Sequence, residues 1–268
     1  MYLADFHTHS SCSPDGNNTM TEMALAAAEK GMDEICFTDH LDVIDWQGEQ
    51  MLEHDWSPAK VQYAAALKEC GGRVGIKLGV ELGQAAEDYE RAEGFLADAP
   101  QLDFIIGSVH NTAKKYGRKD FCVFDSRDEN YCRECIDAYL DEMLETARWG
   151  KFSVLGHMTL PLRYMNESLG MHMTFDGFED KCKAVFDEII PKGIGIELNT
   201  NRGNLPLPYD KLLRQYRALG GEIITMGSDA HSPRYIGCKF SENAELLRDC
   251  GFEYFATFEK MKPVFHKL

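Results

Sequence analysis

Six of the nine histidines directly follow short apolar runs: His7, His9, His40, His110, His157 and His231. Glu81 and Asp229 stand in the same kind of place. Imidazole is the commonest metal ligand, and a carboxylate can hold one ion or bridge two. Taken singly, each residue also has a purely structural reading. A strand-end histidine can bond a neighbouring loop, and a strand-end carboxylate can cap the next helix. Gathered in one crevice, however, eight such groups would be costly to bury without cations. They exceed the roughly four ligands of a single tetrahedral zinc and suit two or three divalent transition metals sharing a carboxylate. Mixed imidazole and carboxylate donors favour zinc, iron or manganese over calcium. Two such ions about 3.5–4 Å apart form a clamp for phosphoryl transfer to water, one activating a hydroxide while the others hold the phosphoryl oxygens.

For these residues to meet, the runs before them must be strands whose carboxyl ends lie on one rim. Short apolar runs alternate with amphipathic stretches from end to end, the pattern of repeated βα units. Strands are expected at Leu3–Phe6, Glu34–Thr38, Gly75–Val80, Leu102–Val109, Phe152–Leu155, Gly193–Leu198 and Glu222–Met226. Helices are expected at Met20–Lys30 (capped by Thr19 or Thr21), from Ser57-Pro58 to Gly71, and at Ala85–Ala97, Glu129–Trp149, Phe175–Ile190, Tyr209–Leu219 and Ser241–Asp249. A last extended piece covers Phe252–Phe258, and residues 42–56, 111–128 and 160–172 read as long loops. Side chains two apart on a strand share a face, so His7 and His9 point together, as do Asp229 and His231. In a parallel barrel the carboxyl ends of the strands form the catalytic face.

The 268 residues fit one large α/β domain, 1–268, with no linker or internal repeat. A net charge of −16 speaks against a dedicated nucleic-acid partner but not against a small phosphorylated substrate, because a metal cluster reverses the field locally. No run approaches the roughly 20 apolar residues of a membrane span, and no signal sequence is visible, so a cytoplasmic location is expected. Nine scattered cysteines read as reduced thiols. Cys132 and Cys135 form a C-x-x-C on a helix with no second pair to complete a zinc site, and Cys12 is the thiol nearest His7 and His9.

Seven short motifs in order carry a resemblance. They are H-T-H-S at His7–Ser10 with Asp15 after it, T-D-H at Thr38–His40, G-V-E at Gly79–Glu81, G-S-V-H at Gly107–His110, G-H at Gly156-His157, E-L-N-T at Glu197–Thr200 and G-S-D-A-H at Gly227–His231. In these the chain resembles the polymerase and histidinol phosphatase (PHP) superfamily, and within it the stand-alone histidinol-phosphate phosphatases. The resemblance implies a distorted, TIM-like (β/α)7 barrel with a trinuclear centre. By that pattern His7, His9, Glu81 and Asp229 hold a first metal. Glu81 bridges to a second, completed by His110 and His157. Asp15, His40 and His231 hold a third. Some members carry histidine where Asp15 stands here, which would alter the third site.

The implied reaction is hydrolysis of L-histidinol phosphate to L-histidinol and phosphate by a metal-bridging hydroxide. A phosphomonoester needs cations beyond the metals. Arg163 and Arg202 lie in loops after two of the strands, where related phosphatases place phosphate-binding arginines. Alone, each reads as a solvated surface arginine, and it is the resemblance that turns both towards phosphate. Asp229 is the first candidate to handle the leaving-group proton, with Asp15 and His231 as rivals. Asn199 and His54 are further candidates near the substrate, whereas His172 and His266 read as structural. Three rivals remain open. One is a PHP phosphoesterase for another phosphomonoester, a nucleotide or a diester; another is a non-hydrolytic polymerase module. The third is an amidohydrolase-like barrel, which would usually show an eighth strand and often a strand-end lysine.

Overall fold

The computed structural model describes residues 1–268. Seven strands lie side by side in the order β1 (Ala4–Thr8), β2 (Glu34–Phe37), β4 (Gly75–Gly83), β5 (Phe104–Ser108), β6 (Val154–Leu155), β7 (Gly195–Asn199) and β8 (Ile224–Gly227), with every adjacent pair parallel. A short strand, β3 (His40–Asp42), prolongs the path of β2. β2 pairs with the lower half of β4, and β3 pairs with Glu81–Gly83 at its upper end. The first and last strands meet through two backbone bonds: Asp229 N–H to His7 O and His9 N–H to Ala230 O, each 2.9 Å. The fold is therefore a nearly closed α/β barrel of seven parallel strands. Most of these strands are buried on both faces, as parallel strands wrapped by helices must be.

The helices sit where the sequence signals place them. Thr19 caps α1 (Met20–Glu29) with a reciprocal bond to Glu22, and Gly31 follows at φ +73°. Pro58 opens α2 (Ser57–Cys70), which Gly71 ends in the left-handed conformation. Asp128 caps α4 (Glu129–Trp149), whose buried face carries Cys132 and Cys135.

Several boundaries differ from expectation. The third helix, α3 (Tyr89–Ala97), starts late, because Asp88 is its cap and Ala85–Glu87 forms only one tight turn. Residues 42–56 include the end of β3, too short to show alternation. The 160–172 segment is not all loop: α5 (Leu160–Leu162) runs straight into a wide helical turn at Arg163–Ser168, started by Pro161. Arg163 therefore projects from a helical turn rather than a loop. The helix α6 (Glu179–Ile189) begins after Phe178, and α7 (Asp210–Ala218) and α8 (Phe240–Asp249) follow. The terminal piece is a hairpin of β9 (Tyr254–Glu259) and β10 (Lys262–Lys267), turning at Lys260 and Met261, both at positive φ. Hairpins favour such turns, but the usual Asn-Gly signal is absent. The hairpin packs Phe258 against Phe104 and bonds Asp103, so it covers the amino end of the barrel and leaves the carboxyl rim open. One contiguous core of 69 buried residues joins barrel and helices, and no helix is long and apolar enough to cross a membrane.

Candidate metal centre and substrate cavity

Glu81, on the upper part of β4, is the hub of the rim. Its Oε1 accepts from Ser108 Oγ at 2.7 Å and faces His110 Nε2 at 2.9 Å and His157 Nε2 at 2.6 Å. Its Oε2 lies 3.1 Å from His7 Nε2, 3.2 Å from His40 Nδ1 and 3.5 Å from His9 Nε2. His7 and His9 do face the same way, with their Nε2 atoms 3.1 Å apart. Asp229 Oδ1 lies 3.4 Å from His9 Nε2 and 3.9 Å from His7 Nε2. The half-exposed Asp15 brings Oδ2 to 2.7 Å from His231 Nε2 and 3.8 Å from His40 Nε2. All nine expected ligands thus converge, in four overlapping groups of donors: His7, His9 and Asp229; His7, Glu81 and His157; His9, Asp15, His40 and His231; and His40 and His110 with Asp42, which was not among the expected ligands. Asp229 and His231 meet the group differently from expectation. β8 ends at Gly227, and Asp229 takes a left-handed turn at φ +58°, so the turn rather than strand alternation aims the two side chains.

Side chains alone do not satisfy this arrangement. Two imidazole nitrogens facing each other at 3.1 Å need either a shared proton or a shared cation. His231 Nε2 and His40 Nδ1 are buried beside carboxylates, at 2.7 and 3.2 Å, without the angles of a hydrogen bond. Lone pairs converging on a common point approach one another in this way. The donor set, six imidazoles and three carboxylates, suits divalent transition metals.

A surrounding layer fixes these ligands. Glu197 Oε1 holds His7 Nδ1 at 2.6 Å, Asp42 Oδ1 holds His110 Nδ1 at 3.1 Å, and Ser13 Oγ meets His9 Nδ1 at 3.1 Å. Asp39 anchors Ser13 in turn at 2.9 Å. Burial opposes protonation of His7, but the facing Glu197 and Glu81 outweigh it and raise its pKa well above the ordinary value. Burial and the positive neighbours His231 and His40 push His9 down to about 3. Burial would raise Asp229, yet Arg163 beside it holds the carboxyl well below the usual range.

Above the cluster opens a cavity of about 710 Å³. Arg163 and Arg202 both reach its wall. Arg163 is buried and donates from Nη1 to Asp229 Oδ2 at 2.6 Å and from Nη2 to Asn199 Oδ1 at 3.2 Å. Arg202, at φ +52°, is partly exposed and has no carboxylate partner. The rest of the wall is acidic and aromatic, with Asp42, Asp45, Glu53 and Asp120 beside Trp46, His54 and Tyr164. Cys122 also lines it, with a thiol that burial and Asp120 push up to about 12. Cys12 instead borders a small separate cleft next to His40. His172 borders a second cavity, and His266 stacks on Tyr2 in the hairpin region; neither approaches the cluster. The sequence reading assigned no role to Glu197, Asp42 or Asp39, although Glu197 and Asn199 show the same i, i+2 spacing as His7 and His9.

The PHP domain model matches residues 5–201. The histidinol-phosphatase of Lactococcus lactis is 27% identical over 274 residues, covering 98% of this chain and 96% of its own. A probable histidinol-phosphatase of Deinococcus radiodurans is 27% identical over 279 residues, covering 97% and 99%. Among solved structures, the Lactococcus lactis histidinol phosphate phosphatase, complexed with zinc, L-histidinol and phosphate, superposes with a TM-score of 0.80 at 24% identity, covering 98% of each chain.

Proposed function

This chain belongs to the PHP domain family, and on that premise we propose that it is a metal-dependent phosphomonoesterase that hydrolyses L-histidinol phosphate. The observation that carries this reading is the convergence of nine histidine and carboxylate side chains, of the types that ligate transition metals, on one rim beneath an arginine- and acid-lined cavity. Its support among relatives is likeness to histidinol-phosphatases along nearly the whole chain. The whole chain is read as one phosphoesterase domain built on its single core. Nine unpaired cysteines support a cytoplasmic location.

In this reading His7, His9, Glu81 and Asp229 hold one ion, Glu81, His110 and His157 a second, and Asp15, His40 and His231 a third. Bound divalent ions supply an activated water and neutralise the phosphoryl oxygens. The chain's own groups do the rest. Arg202, free of any carboxylate, and the Arg163 fork bind the remaining phosphoryl oxygens. Asp229 has one oxygen committed to Arg163, which narrows its part in proton transfer. The His231–Asp15 pair lies nearer solvent, and with His231 Nε2 given to an ion, the departing alkoxide takes its proton from water admitted on that side. Asp42, Asp45, Glu53 and Asp120 then face the leaving group, and with Trp46 they suit a cationic, ring-bearing alcohol. The same acidic wall repels the extra phosphates of a nucleotide, which weighs against that rival.

The test is phosphate release by purified protein with defined metal, from histidinol phosphate and from a panel of phosphomonoesters. Histidinol phosphate is expected to have the highest kcat/KM. Another ester exceeding it by orders of magnitude would overturn the substrate assignment.

A further inference from the structure

Glu197 lies outside the ligand set, yet its carboxylate, 1% exposed, serves three strands at once. Oε1 holds His7 Nδ1 at 2.6 Å on β1. Oε2 accepts the His157 backbone N–H at 2.8 Å, just beyond β6. Asn199, on β7 itself, sets its Nδ2 3.3 Å from both oxygens and accepts from Arg163 through Oδ1. One glycine keeps this space open, and a second lies at its edge. A Cβ on Gly227 would stand 2.3 Å from Glu197 Oε1 and 2.4 Å from His7 Cβ. A Cβ on Gly156 would meet Ser108 Oγ and Ile106 Cγ2 at 2.7 Å, with Glu197 Oε2 at 3.7 Å. The glycine that opens G-S-D-A-H and the glutamate of E-L-N-T therefore form one device.

We propose that Glu197 is a positioning residue that sets the metal affinity of the centre. It fixes the His7 tautomer so that Nδ1 carries the hydrogen and the Nε2 lone pair faces the cluster. It also pins the backbone from which His157 projects. A carboxylate behind a ligating imidazole both orients the ring and raises its basicity. One buried anion thus acts on ligands assigned to two different ions, and through Asn199 on the arginine assigned to phosphate. The inference rests on the metal-centre reading above.

The experiment strips the full-length protein with chelator and titrates it with zinc, alone and against a competing indicator. Glu197→Gln keeps the shape and removes the charge; Glu197→Asp keeps the charge and loses the reach. Glu197→Gln is expected to bind zinc about 10–100-fold more weakly. Its stripped Tm should stay near the parent's, and most of kcat should return at saturating zinc, because Glu197 does not touch substrate. If Glu197→Gln does not fold, Glu197→Asp carries the test, with weaker zinc binding expected at an unchanged fold. Zinc affinity within twofold of the parent in a folded variant overturns the role of Glu197 alone. A stripped parent that takes up no zinc overturns the metal centre itself, and this proposal with it.

Discussion

Arg163 donates from Nη1 to Asp229 Oδ2 across 2.6 Å, and both side chains are buried at the cavity wall. The pair joins a cation assigned to the phosphoryl group with a carboxylate assigned to a metal. Arg163→Lys keeps the charge but loses the fork. It is expected to cut kcat/KM by about 10²–10³-fold with metal content intact, the scale of losing one transition-state donor. Steady-state kinetics beside metal analysis would show it, and unchanged kcat/KM would remove Arg163 from the phosphate site. Arg163→Met leaves Asp229 Oδ2 without its buried donor while histidines still face Oδ1, so the metal-free protein should lose about 1–3 kcal/mol in denaturant unfolding.

Metal removal should act on the fold as well as on the reaction. Six imidazoles and three carboxylates packed on one rim repel or compete for protons when no cation separates them. Zinc at about 100 times its dissociation constant should add about 2.7 kcal/mol per site to stability. Thermal unfolding of stripped and zinc-reloaded protein measures this directly, and coincident transitions would contradict it.

Glu81 touches every subset of the rim, so its loss should be felt by more than one ion. Glu81→Ala is expected to lower bound metal by more than one equivalent. It should also reduce kcat by at least about 10³-fold, several kcal/mol of lost charge stabilisation. His9→Ala should cost a single ion. Elemental analysis of the dialysed variants distinguishes the two, and a fully loaded, fully active Glu81→Ala would dismantle the site.

A different carboxyl should shape the pH dependence of stability. Burial raises Glu142, on α4, from 4.5 to about 8, with Glu87 adding to the effect and Arg118 opposing it. Above pH 4.5 the unfolded chain ionises Glu142 while the folded chain keeps the proton. The contribution of the neutral form is therefore complete below 4.5 and is lost as pH climbs to about 8. Glu142→Gln should melt higher than the parent at about pH 9 and close to it at about pH 4. Melting curves across that range would refute this if the two proteins run parallel.

The convergence of histidines and carboxylates on one rim was legible because strand-end histidines are conspicuous: apolar runs announce the strands, and a parallel barrel gathers their carboxyl ends. The layer behind the ligands was harder to read. Glu197 sits inside an apolar run and bonds His7 across 190 residues of chain, a pairing no local pattern encodes. The Arg163–Asp229 pair is likewise non-local. β3 was hidden by its three-residue length, and the turn at Arg163–Ser168 by the loop-like Met-Asn-Glu-Ser that composes it.

The seam between β1 and β8 is closed by the backbones of His7, His9, Asp229 and Ala230. An early and a late strand therefore complete the barrel and its rim of donor side chains in one step. During synthesis His7 and His9 emerge long before Asp229 and His231. A chain cut short before Asp229 carries the early imidazoles without the groups that complete the rim and its backbone seam.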